Sequence, residues 1–149
     1  MNITGERQLA VDRQAAWESL FDPAILRQCI PGCESVERED ETRYRAVVVM
    51  AIGPVKARFS GTFTIADAQA PVRCRLVFEG SGGAAGLAKG GADVVLDPAD
   101  GGTRLAYDAQ AQVAGRLAQV GARLIEGVAR KLAGEFFDRF ETAVTAGQT

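Results

Sequence analysis

The sequence contains no histidine, and that absence removes more chemistry than any residue present supplies. The usual general base near neutral pH and the commonest metal ligand are both missing, and no Ser–His or Cys–His pair can form within the chain. Cysteine is sparse: Cys29, Cys33 and Cys74. Cys29 and Cys33 flank Ile30-Pro31-Gly32, which is neither a thioredoxin-type CxxC nor a zinc knuckle, and three thiols fall one short of a structural zinc site. They read as reduced, mostly buried thiols, with a redox pair between Cys29 and Cys33 as the alternative. No metal ligand set and no cofactor is assigned. Long apolar runs are also lacking. The longest, Ala46 to Ile52, is far short of the roughly 20 residues that cross a bilayer. Met1 to Arg7 shows no basic-then-apolar leader, so the expected location is the cytoplasm. Charge of one sign is lacking too: 17 Lys and Arg stand against 19 Asp and Glu. That balance argues against nucleic acid or an anionic membrane as an electrostatic partner.

What remains is an ordinary globular composition, 47% hydrophobic and 24% charged. The length suits a single domain, expected over residues 1–146 with a short tail at 147–149. Ile3 to Val11 reads as a first strand. Asp12 caps a short helix carrying Ala16, Trp17, Leu20 and Phe21. A second short helix follows, with Asp22 as N-cap and Pro23 in the first position, where no amide donor is needed. Ile30-Pro31-Gly32 stops it. Arg43 to Ile52 then alternates, and after the Gly53-Pro54 turn Val55 to Ala66 alternates more strictly. Val72 to Glu79, Ala92 to Leu96 and Leu105 to Val113 continue this half-buried pattern, with a turn at Asp97 to Gly102. The glycine-rich stretch Gly80 to Gly91 fits neither GxGxxG nor GxxxxGK[ST], and a strand follows where a phosphate loop needs a helix. It reads as a hairpin loop whose tip, Gly82 to Gly90, is able to gate a cavity mouth.

From Gly115 to about Ala146 the period becomes helical. Leu117, Val120, Gly121, Leu124 and Val128 start an apolar stripe that Leu132, Phe136, Phe140 and Val144 continue. A helix of roughly 30 residues is about 45 Å long, and only a curled sheet offers it enough surface. Gly121, Gly127 and Gly134 each cost about 1 kcal/mol relative to alanine inside a helix. Either some of them border a cavity between helix and sheet, or they reflect close packing and drift. The expected class is α+β: a curved antiparallel sheet of about seven strands wrapped around a long C-terminal helix, with two short helices after the first strand.

A cavity between sheet and helix would be lined by Tyr44, Val48, Met50, Phe59, Phe63, Leu76, Phe78, Tyr107, Leu117, Val120, Leu124 and Val128. Such walls hold a lipid-like molecule through apolar area, with a few polar groups setting its orientation. Arg7, Tyr44 and Tyr107 are the candidates for contact with a polar head group, because they share faces with core residues. The alternative for Arg7 is a strand-end arginine reaching water along its stem. For each tyrosine it is a core ring with its hydroxyl satisfied at the edge. The inward faces offer no paired carboxylates, so no catalytic residue is assigned; a cyclase- or hydrolase-like activity would fall to Tyr, Asp or Glu with shifted pKa values.

The order of elements resembles the START-like (SRPBCC, helix-grip) superfamily, which includes polyketide cyclases and the Bet v 1 type. More specifically, almost the whole chain resembles the G-subunit family of carbon monoxide dehydrogenase. The segments that carry this are Trp17 to Pro23, Leu26 to Glu34 with its Ile30-Pro31-Gly32-Cys33 turn, Gly53-Pro54-Val55, and Gly115 to Ile125. The resemblance implies an accessory, non-enzymatic role beside a molybdenum hydroxylase of the carbon monoxide dehydrogenase type. That role is membrane recruitment or the handling of a hydrophobic carrier such as a lipid or isoprenoid quinone. Its alternative is docking, recruitment or maturation of the hydroxylase with no physiological ligand, and Pro31, Gly32, Cys33 and Glu34 are then the docking candidates. With Thr149 directly after the long helix, membrane contact is expected to be at most transient.

Overall fold

Alternating apolar residues dictate strands, and the strands form one sheet in the order β1-β7-β6-β5-β4-β3-β2, every neighbouring pair antiparallel. The computed structural model describes residues 1–146, and the tail expected at 147–149 lies outside the described residues. Strand β1 (Asn2–Leu9) leads into helices α1 (Arg13–Leu20) and α2 (Pro23–Cys29). The chain then meanders through β2 (Cys33–Arg38), β3 (Arg43–Ile52), β4 (Val55–Gln69), β5 (Arg73–Ser81), β6 (Leu87–Ala99) and β7 (Gly102–Ala114). Helix α3 (Ala122–Ala146) ends the described chain. Because β7 pairs with β1, the meander returns to its start, and α1 and α2 carry the chain from one sheet edge to the other. The result is the expected α+β helix-grip arrangement.

The helix starts follow the sequence. Asp12 Oδ1 accepts from the Ala15 amide at 2.8 Å and Asp22 Oδ1 from the Ala24 amide at 2.9 Å, each satisfying an otherwise orphaned donor. Gly53, at φ +58°, takes the first central position of the two-residue β3–β4 turn, where a side chain would be strained. Asp100 and Gly101, at φ +49° and +79°, turn β6 into β7, so that strand pairing runs on through Asp97 and Pro98.

Four expectations are corrected. The first strand ends at Leu9, and Val11 packs into the core from the bend beyond it. Cys33–Arg38 is a strand that the alternation did not reveal. The glycine-rich loop is shorter than Gly82 to Gly90, because β6 resumes at Leu87 after one 3₁₀ turn at Gly83–Ala85. The long helix does not begin at Gly115. Residues Gly115–Val120 form a 3₁₀ turn, Gly121 sits at φ +98°, and α3 is 25 residues, about 37 Å long. Three- and four-residue spacings mimic each other over a single turn, so Leu117 and Val120 looked continuous with the helix.

The buried side chains form two clusters. One joins Leu9, Val11, Leu20, Leu96, Leu105, Phe137, Phe140 and Val144 around α1 and the C-terminal half of α3. The other joins Ile52, Val55, Phe59, Ala85, Leu117 and Ile125 at the opposite end.

Candidate functional site

Between these clusters the large inward residues lie on β4 and β5, and the small ones lie opposite. Phe63 faces Tyr44 on one side and Phe78 on the other. Phe78 faces Gly90, which faces Ala111. Ala92 faces Ala109, which faces Ile3. Helix α3 presents Ala129 and Ala133 to the same region. Small side chains on both layers leave space that the phenylalanines do not fill. Two adjoining cavities result, of about 410 Å³ and about 350 Å³. Ile3, Phe63, Phe78 and Ala109 line both and form the waist between them.

The walls are apolar. Val48, Met50, Phe59, Phe63, Phe78 and Leu117, all expected from the sequence, line the first cavity with Ile52, Val113, Ile125 and Leu132. Leu76, Phe63, Phe78 and Tyr107 line the second with Leu20, Phe21, Leu105, Phe136 and Phe137. Tyr107 is the one polar side chain among the residues lining the second cavity. Its ring stacks on Phe137 at 4.9 Å, and a Cβ on Gly5 would collide with its hydroxyl and ring. No hydrogen-bond partner for that hydroxyl exists among the described residues.

Five other candidates lie elsewhere. Tyr44 is fully buried outside both cavities, stacked on Phe63 at 4.7 Å. Its hydroxyl donates to the Phe21 carbonyl at 2.7 Å, tying the α1–α2 junction to the sheet, and burial pushes its pKa up. Leu124 is 40% exposed and lies against Gly53. Val120 and Val128 pack against the second cluster without lining either cavity. The break at Gly121 changes the phase of the helix, so Ile125 faces inward where Leu124 was expected. Arg7 reaches α3: its guanidinium donates to Asp138 at 2.7 Å, Glu141 at 3.4 Å and the Gly134 carbonyl at 3.3 Å, 5.9 Å from the centre of the Phe137 ring. The hydrogen bond to Asp138 is the main cause of its raised pKa. It clasps the edge strand to the helix, and Gly134 contributes its carbonyl to that clasp.

The Pro31, Gly32, Cys33 and Glu34 segment turns α2 into the edge strand. Gly32 sits at φ +76°, where a Cβ would run into the Val49 carbonyl, and its own carbonyl accepts from the Val49 amide at 2.9 Å. Pro31 and Cys33 are half-buried, while Glu34 is exposed and ion-pairs with Arg58 at 2.9 Å. The three thiols are free. Burial pushes Cys74 up to about 11, with Asp93 adding to the effect, and it raises Cys29 and Cys33 as well. None is therefore a ready thiolate near neutrality. Among the described residues no group of three His, Cys, Asp or Glu side chains is placed to hold a metal ion, and no helix is long and apolar enough to cross a membrane.

A larger depression of about 670 Å³ lies on the outer face of the sheet, lined by Arg43, Arg75, Glu79, Lys89 and several hydroxyl and amide groups. Arg43 and Arg75 are already ion-paired with Glu39 and Asp93, and such walls suit water better than a hydrophobic guest.

Sequence patterning missed the small residues that create the space: Gly61, Gly80, Ala88, Ala92, Ala109, Ala111, Ala129 and Ala133. Their signal was present as alanine and glycine at successive inward positions of neighbouring strands.

The fold has counterparts among solved structures. A conserved protein from Geobacillus kaustophilus is 31% identical with a TM-score of 0.90, the match covering 98% of this chain and 96% of that one. TTHA0849 from Thermus thermophilus is 16% identical with a TM-score of 0.75 over the full length of both chains. Ara h 8.0201, a Bet v 1-like structure, is 15% identical with a TM-score of 0.69, covering 98% of each. No curated protein matches the chain significantly. The family profile of the carbon monoxide dehydrogenase G subunit (CoxG) matches residues 5–145, and on that match the chain belongs to this family of accessory subunits.

Proposed function

We propose that the protein binds and carries a hydrophobic small molecule, a lipid or isoprenoid quinone, between the sheet and α3, and that it does so without catalysing a reaction. The observation that carries this is the pair of adjoining apolar cavities, with the Tyr107 hydroxyl the one polar side-chain group of the second and without a hydrogen-bond partner among the described residues. Apolar walls hold an isoprenoid or acyl chain by area, and a lone hydroxyl orients one carbonyl or hydroxyl group. Family membership supports an accessory role beside a molybdenum hydroxylase of the carbon monoxide dehydrogenase type. With no histidine in the chain and Glu79 the one carboxylate among the residues lining the two cavities, the site offers no paired carboxylates for acid–base work.

Native purification followed by organic extraction and mass spectrometry tests the proposal. A stoichiometric hydrophobic molecule is expected. Protein that is empty, and that fails to take up added quinones and lipids, would sink the carrier reading. The family's association with the hydroxylase would then favour docking or maturation without a ligand, with pull-down of the hydroxylase as its own test.

A further inference from the structure

Strand β1 is one edge of the sheet, and its inward positions run along both cavities. Met1 lines the first cavity and is 42% exposed, and Ile3 stands at the waist. Gly5 brings no side chain. The space it leaves is taken by Tyr107, whose hydroxyl and ring lie where a Cβ on Gly5 would be. Arg7 follows, with its guanidinium over the ring of Phe137 at the rim of the second cavity. Helix α3 supplies Ala129 and Leu132 to the first cavity and Ala133, Phe136 and Phe137 to the second. The boundary between β1 and α3 is therefore a seam that borders both cavities.

Little holds that seam. A ladder of backbone hydrogen bonds fixes β1 to β7, but no ladder joins a strand to a helix. Among the described residues Arg7 is the one β1 residue hydrogen-bonded to α3. Its acceptors, Gly134, Asp138 and Glu141, cover two turns of the helix. Asp138 is mostly exposed, so this bond forms and breaks at the edge of water without stranding a buried charge. The opposite edge is secured differently. There Tyr44 donates to the Phe21 carbonyl, the Val49 amide to the Gly32 carbonyl and Arg27 to the Glu34 carbonyl, and none of these is an ion pair.

We infer that the seam beside Gly5 is the port through which a guest enters and leaves, that the stacked Tyr107 and Phe137 rings close it, and that Arg7 is its latch. The inference rests on the carrier reading for the guest, but the latch itself is measurable without one. Arg7 lines neither cavity, so it is a positioning residue. It governs how often the seam opens and leaves the affinity of the cavities for their guest alone. A group in contact with the guest would do the opposite and change affinity through the exit rate.

The experiment is stopped-flow uptake and release of N-phenyl-1-naphthylamine, an uncharged dye that brightens in apolar surroundings, by the full chain. Amide exchange in β1 is followed in parallel without dye. Arg7→Met should raise the entry and exit rates together by about fivefold, the upper range for a partly exposed ion pair, with the dissociation constant unchanged. Added salt should raise the parent's rates towards those of the variant and leave the variant's where they are. Arg130→Met, which removes the ion pair with Glu126 inside α3, should alter neither rate. Dye that binds with the same rates in Arg7→Met and the parent would overturn the latch and leave the carrier reading standing. A dissociation constant shifted through the exit rate alone would also overturn it, because Arg7 would then be touching the guest. No dye uptake, with β1 exchange accelerated by Arg7→Met, would count against the carrier reading and leave the latch in place. No uptake and unchanged exchange would sink both.

Discussion

Ala109→Leu puts the cavity itself to the test. Ala109 lines both cavities and faces Ile3 and Ala92 across the ladder, so a larger side chain there projects into the waist. Leucine adds three carbons. At about 0.8 kcal/mol for each buried methylene, the gain is about 2.4 kcal/mol. Ordering the new side chain returns about 0.5–1 kcal/mol of that. The net is a stabilisation of about 1.5 kcal/mol, which for a chain of this size raises the melting temperature by roughly 5 °C. The same side chain divides the space available to a long apolar guest. The ligand-free variant should therefore melt higher while taking up decylubiquinone less well, as read from quenching of the single tryptophan. Trp17 packs edge-on against Phe21 at 5.1 Å, and Phe21 lines the second cavity, so the reporter stands beside the guest. Ala106→Leu, on the other face of β7, is the control and should do neither. If Ala109→Leu instead destabilises by about 1–3 kcal/mol, as overpacking of a filled core does, the space is closed in solution and the reasoning fails.

The two tyrosines should separate. Tyr44→Phe removes the hydrogen bond to the Phe21 carbonyl and should cost about 1–2 kcal/mol in urea unfolding with an unchanged slope. Tyr107→Phe removes no hydrogen bond within the protein, so its stability should stay within about 0.5 kcal/mol of the parent while decylubiquinone binding weakens. Arg7→Met keeps an apolar stem beside Phe137 but loses Asp138 and Glu141. Asp138 is 71% exposed, so screening limits the loss to about 1 kcal/mol at low salt. It should shrink with added salt and be accompanied by faster amide exchange in β1. The Cys74 thiol, raised from 9.0 to about 11 by burial, favours the protonated form in the folded chain. Its contribution is complete below pH 9 and is lost as the pH rises through 11, by about 2.7 kcal/mol in all. Cys74→Ala should remove that part of the alkaline decline, and an undiminished decline would exclude the thiol as its source.

What the sequence made legible was whatever one buried face imposes. Val55 to Ala66 alternates because β4 lies mid-sheet with one face on the core, and the strand is there. Cys33–Arg38 is an edge strand with no clean alternation of burial, so its period is silent. The turn at Gly115–Val120 mimics helical spacing, which concealed the break at Gly121 and put Leu124 inside when it is outside. Tyr44 and Tyr107 look alike in sequence, both inward on strands. Only the tertiary position of the Phe21 carbonyl makes one a tie and leaves the other free. Arg7 was recognisable as an inward-facing charge, but its partners lie more than 120 residues away on α3. The large wall residues were readable because hydrophobic side chains announce themselves. The space between them was not, because a void is made by alanines and glycines on two layers at once.

That void bears on function through its cost. Unfilled apolar volume lowers stability by about 24 cal/mol for each Å³ that does not collapse, so each 100 Å³ left empty costs about 2.4 kcal/mol of the roughly 5–15 kcal/mol that holds a domain together. The cavities reach about 410 Å³ and about 350 Å³. A chain indifferent to ligands would gain by replacing Ala92, Ala109 or Ala133 with larger residues. Here the space is retained and the fold is secured at both ends instead. The first cluster and the Tyr44 tie hold one end, the Leu117 cluster holds the other, and Arg7 clasps the edge strand to the helix. An architecture with apolar space between sheet and helix is stabilised by a molecule that fills it, by about 2.7 kcal/mol for a guest at 100 times its dissociation constant. On the proposed carrier reading the guest acts as the missing part of the core, and the protein should be isolated from the cell with it bound.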